Sequence, residues 1–146
     1  MSEAQTPRRR CGETFVEWIY DSMLRALEQG QPLEAVLPRY IPMLLSELDA
    51  MTIIFPEMQD LLVDTVQRLW YKWFKDIPRP SIERDDSATT ILTKIVAQLD
   101  EYRDRILPKD AAYMSSDEVR ARIEYTAFSF MDTVCRRVFK QFGILR

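Results

Sequence analysis

The sequence predicts an all-α fold: a single-domain bundle of about five main helices, with the second helical region broken by proline. Three observations carry this. Apolar residues recur at helical spacing over most of the chain. The gaps between those recurrences hold Pro, Gly and Ser where helices start and stop. No alternating apolar run bounded by hairpin turns is present to make a strand. At 146 residues and 47% apolar content, the chain fits one domain and buries enough surface to fold without metal or disulfide.

Residues 1–12 are nearly devoid of apolar side chains and end in Gly12. They read as a mobile basic arm ahead of a bundle domain spanning 13–146. From Glu13 the period becomes helical: Phe15, Ile19, Met23, Ala26 and Leu27 fall on one face, and Glu17, Asp21, Arg25 and Glu28 lie opposite. Gly30 suits the position just past a helix end, and Pro32 opens the next element. Pro38 and Pro42 then predict a short helix at 33–37 and a second from about 41 to 51. Ile53, Ile54 and Phe55 read as a buried connection into Pro56.

The helix predicted over 57–75 has a wide apolar arc that includes Met58, Leu62, Val66, Leu69, Trp70 and Trp73. Two prolines and four acids within 76–86 make a linker. Ser87 is a suitable N-cap for a helix over 88–106, whose face is Ile91, Ile95, Leu99, Tyr102 and Ile106. Ser115 with Glu118 three residues later is a capping box for the last helix, which runs to about Phe142 and stops at Gly143.

That last helix carries two apolar stripes. Val119, Ile123, Ala127, Phe130, Val134 and Val138 form one; Ala121, Tyr125, Phe128, Cys135, Phe139 and Phe142 form the other, about 100–150° around the axis. A surface helix needs only one apolar face. The second stripe therefore belongs either to a helix central in its bundle or to an interface with another copy or another protein.

Composition excludes several chemistries. With no His, three Gly and two Cys, there is no imidazole ligand, no Gly-rich phosphate loop and no internal structural zinc site. Neither cofactor nor metal is expected, and the chain is not read as an enzyme. Asp85-Asp86 lacks the further carboxylates a cation site needs. Cys135 lies among Phe128, Val138 and Phe139 and reads as a packing residue, unlike an activated thiol. Cys11 and Cys135 are both read as free thiols in a reducing compartment. The arginines at 8–10 are followed by an apolar run that Glu13, Glu17 and Asp21 interrupt, which is not the pattern of a signal peptide. The most apolar stretch, Tyr40 to Phe55, includes Ser46, Glu47 and Asp49 and is too short and too charged for a transmembrane segment. The protein is expected to be soluble and intracellular.

Twenty basic and 23 acidic residues give a net charge of −3, unlike a dedicated nucleic-acid binder. The basic groups are Arg8, Arg9 and Arg10 in the arm and Arg136, Arg137, Lys140 and Arg146 at the C-terminus. The LWYKWF segment, Leu69 to Phe74, interleaves aromatic and basic residues, but helical periodicity assigns Trp70 and Trp73 to the core. The function expected is a non-enzymatic protein–protein interaction module: an adaptor, an assembly factor or a small subunit, with a protein partner or a second copy on the second stripe. The alternative is a nucleic-acid-associated regulator using the basic arm and the C-terminal basic cluster.

Overall fold

A computed structural model describes residues 13–146; the arm assigned to 1–12, with Arg8, Arg9, Arg10 and Cys11, lies outside the described residues. The described chain forms an all-helical bundle of five helices: α1 (Glu13–Glu28), α2 (Leu33–Ile54), α3 (Pro56–Trp73), α4 (Ala88–Glu101) and α5 (Ser116–Gln141), with single 3-10 turns at Arg103–Arg105 and Ala111–Tyr113. Among these residues no strand is present, and no helix is long and apolar enough to cross a membrane.

Helix α5 packs against α2, α3 and α4, while α1 docks mainly on α2. The core therefore lies around the α2–α5 pair. Its largest fully buried side chains include Trp70, Phe130, Phe139, Ile19, Ile41 and Leu44.

Local chemistry sets the helix ends. The Ser87 side chain accepts from the Thr90 N–H. At α5 both halves of the capping box are made: Ser115 Oγ accepts from the Glu118 N–H at 3.1 Å, and the Glu118 carboxylate accepts from the Ser115 N–H at 2.8 Å. Glycine terminates α1 and α5, with φ of +89° at Gly30 and +73° at Gly143.

Helix α2 departs from the expectation of two pieces. It is one continuous helix through Pro38 and Pro42. Both prolines are exposed, and their spacing of four places them on one side. The carbonyls they leave without donors, those of Glu34 and Pro38, lie along that same solvent side, where water can satisfy them. The opposite side buries Val36, Leu37, Ile41, Leu44, Leu45 and Leu48. At roughly 1.5–3 kcal/mol per fully buried side chain, this burial outweighs about 3 kcal/mol for each proline.

The corner between α2 and α3 is a second correction. Ile53 and Ile54 are 83% and 70% exposed, and Phe55 is exposed as well. Because α2 continues to Ile54 and Pro56 begins α3 immediately, the corner overhangs the end of the core, whose last layer is Met51 and Met58. Helix α4 is also shorter than expected. It ends at Glu101, where the Arg103 guanidinium bonds the carbonyl and carboxylate of Asp100 and the chain tightens into a 3-10 turn.

Residues 76–86 form no regular element, as the sequence implies, but they are tied down along their length. The Trp70 indole N–H donates to the Ile77 carbonyl at 2.8 Å. Gln59 donates to the carbonyls of Arg84 and Asp86, Lys94 to Ser81, Gln98 to Pro78, and Arg105 to Asp76. The strap leaves the C-terminal end of α3, returns to its N-terminal end and there starts α4, so the two helices run parallel. The Asp49 carboxylate on α2 accepts from the first N–H of α4, that of Ala88, at 2.6 Å.

Candidate interaction surface

The two stripes of α5 meet different fates. In the first, Ile123, Ala127, Phe130, Val134 and Val138 are buried and Val119 is half-buried. The second divides along the helix. Cys135 and Phe139 are fully buried in the bundle's own core. The interface assignment therefore fails for these two, which the same chain encloses completely. Ala121 is exposed, and Tyr125, Phe128 and Phe142 are half-buried against the core edge. The stripe is thus central-helix packing at Cys135 and Phe139, accessible surface at its N-terminal half, and core edge at Phe142 just past the helix end.

Around that N-terminal half lies an open groove of about 800 Å³ between α4 and α5. Its apolar wall is made by Leu92 and Val96 from α4, Met114 from the connection, and Val119 and Phe128 from α5, all half-buried. Its rim carries both charge signs, with Arg103 and Arg120 against Asp100 and Glu124. The α4 side runs from Leu92 to Asp100, about 12 Å at 1.5 Å per residue. On the other side of α5, Ala121 and Tyr125 line a shallower hollow with Pro38 of α2. Sequence reasoning found Phe128, Ala121 and Tyr125. It missed Leu92 and Val96 as surface, because helical period sets them beside the core face of α4, and Met114, because it lies in a connection that has no period to read.

A polar cluster of Tyr20, Asp132 and Arg136 ties α1 to α5. Arg136 bonds the Asp132 carboxylate at 3.1 and 3.2 Å and lies 4.3 Å over the Tyr20 ring, joining α1 to α5. Burial pushes the Tyr20 phenol well above its usual range, with the charge of Asp132 adding to it. Asp132 lies near enough to act on the phenol electrostatically, yet no hydrogen bond of normal geometry satisfies the buried Tyr20 Oη. Burial also raises Asp132 and, with the negative charges of Asp132 and Asp49, pushes the Cys135 thiol up. A thiol so held is protonated and enclosed, the opposite of an activated nucleophile.

Asp86 of the Asp85-Asp86 pair is engaged by Lys94 Nζ at 2.6 Å and the Glu83 N–H at 2.8 Å. Among the described residues no group of three or more Cys, Asp or Glu side chains is arranged to hold a metal ion. In the LWYKWF segment Trp70 is fully buried, but Trp73 is 40% exposed, a correction to its placement in the core. It sits on the last turn of α3, in a T-shaped arrangement with Phe130 at 5.4 Å, and lines an open hollow with Ile77, Arg105 and Ile106. The C-terminal basic cluster also divides: Arg136 is neutralised by Asp132, while Arg137 and Lys140 face Arg68 and Lys72 of α3 across a hollow. Comparison with protein-family models, with curated proteins and with solved structures gives no match.

Proposed function

We propose that the protein is a non-enzymatic helical interaction module, acting as an adaptor, an assembly factor or a small subunit of a complex. The docking surface is the α4–α5 groove. The observation that carries the reading is the wall formed by Leu92, Val96, Met114, Val119 and Phe128, half-open to solvent and bordered by charges of both signs. An amphipathic helix of two to three turns matches this length, laying apolar side chains on the wall and charged ones along the rim. A second copy of the chain or a different protein supplies that helix.

Phe128→Glu and Phe139→Glu test the reading together. Phe139→Glu places a charge in the core and unfolds the chain. Phe128→Glu leaves the helical circular dichroism intact and abolishes association, read by sedimentation velocity. For a hetero-partner, a photoreactive residue at position 96 crosslinks to one protein in the native source, at a peptide of amphipathic helical pattern. A monomeric wild type, with crosslinking at 96 no different from that at the exposed position of Glu101, refutes the proposal.

A further inference from the structure

Helices α3 and α5 build a second feature, one of charge. Arg68 and Lys72 stand four residues apart on α3, and Arg137 and Lys140 three apart on α5, so each helix presents two cations along one face. These four line an open hollow of about 550 Å³ whose floor is the nearly buried Thr65 and Leu69. The same chain carries a net charge of −3, so the concentration of positive charge here is local. Among the described residues neither Arg137, Lys140 nor Lys72 is paired with a carboxylate, and Arg68 has only an exposed partner, Asp64 at 2.9 Å. Such an exposed pair contributes little and exchanges readily for a better anion.

We infer that this hollow docks a short acidic segment of a protein partner, with its carboxylates set between the two pairs of cations. The inference rests on the reading of the protein as an interaction module and supplies it with a second surface and a partner chemistry. Guanidinium groups on both sides can each hold a carboxylate in a planar, two-point geometry. The extent of the positive surface selects a short segment over a nucleic acid. Toward the start of α3 the same exposed side continues as Asp64 and Asp60, which repel a phosphate backbone that tracks beyond two helical turns. A peptide can confine its acids to the stretch between the cations; a polynucleotide carries one at every residue.

The test uses the full chain and fluorescence anisotropy with three labelled probes of equal length: poly-glutamate, poly-glutamine and oligothymidine. Poly-glutamate binds and poly-glutamine does not. Arg137→Glu with Lys140→Glu weakens poly-glutamate binding about tenfold or more, because two attractions become repulsions. Arg39→Glu with Lys109→Glu makes the same change in net charge away from the hollow and leaves binding within about twofold of wild type. Circular dichroism verifies that all variants are folded. Poly-glutamate binding no tighter than poly-glutamine, or equal losses in the two double variants, overturns the inference. Oligothymidine binding more tightly than poly-glutamate through Arg137 and Lys140 also overturns it, in favour of a nucleic-acid surface. Phe128→Glu leaves poly-glutamate binding unchanged, so failure of the α4–α5 groove and failure of this surface are separate results.

Discussion

Trp70 and Trp73 lie three residues apart on α3 and belong to one apolar arc by periodicity, yet truncating them has very different consequences. Trp70 is fully buried, with its ring 4.5 Å from that of Phe74 and 5.6 Å from that of Phe130. Its indole N–H holds the strap through the carbonyl of Ile77, itself a buried residue. Trp70→Ala removes this packing and costs about 3–5 kcal/mol. Trp70→Phe keeps an aromatic ring but leaves the Ile77 carbonyl without its donor. That loss costs about 1–3 kcal/mol, and the smaller ring adds roughly 1 kcal/mol. Trp73 is 40% exposed, so Trp73→Ala forfeits only part of a side chain's burial and opens no closed cavity. Its cost is about 1–2 kcal/mol. Equilibrium urea unfolding followed by far-ultraviolet circular dichroism measures all three without depending on tryptophan fluorescence. If Trp73→Ala is as damaging as Trp70→Ala, or Trp70→Phe costs less than about 0.5 kcal/mol, the account of how α3 meets the strap is wrong.

Three further outcomes follow from the same packing. Tyr20→Phe removes a buried hydroxyl with no hydrogen-bond partner and is neutral or stabilising by up to about 1 kcal/mol; a loss of that size in urea unfolding would reveal a bond to Asp132. The Asp86 carboxyl is held below its usual range by its hydrogen bond from Lys94 and then by that from the Glu83 N–H. Its contribution to stability is therefore present above the unfolded-state pKa and disappears as pH falls through the lower folded-state value. Asp86→Asn shrinks the stability difference between neutral and acid pH in a urea–pH series, and an unchanged difference would exclude Asp86 as a source of acid sensitivity. Gly30→Ala and Gly143→Ala each cost about 1–2 kcal/mol, because φ is positive at both while no atom crowds the added methyl; values near zero would show that these turns relax to negative φ.

The capped starts of α4 and α5 and the glycine stops of α1 and α5 were legible because they depend on a few neighbouring residues. Ser87, the Ser115–Glu118 pair, Gly30 and Gly143 act through backbone groups within one turn, and all four do in the folded chain what their chemistry implies. The faces of α1 and α4 were legible for a related reason: Ile19, Met23 and Ala26, and Ile91, Ile95 and Leu99, recur at a period that leaves one side to bury, although Leu27, assigned to the same face of α1, lies exposed in its last turn. The second stripe of α5 marks where this reasoning ends. Periodicity states that Phe128 and Phe139 share a face, but not that neighbouring helices cover Phe139 and leave Phe128 half-open. The same holds at Trp70 and Trp73, where cover from the strap separates two equivalent positions. Pro38 and Pro42 were misleading because their local cost is set against a core that only the assembled bundle supplies. The candidate sites are tertiary as well. Leu92 and Phe128 are 36 positions apart, and Arg68 and Arg137 are 69 apart; each pair meets only because α5 packs between α3 and α4. Short-range backbone chemistry and helical period determine what each segment becomes. Which surfaces remain for a partner depends on what the rest of the chain covers, and that is decided when the helices pack.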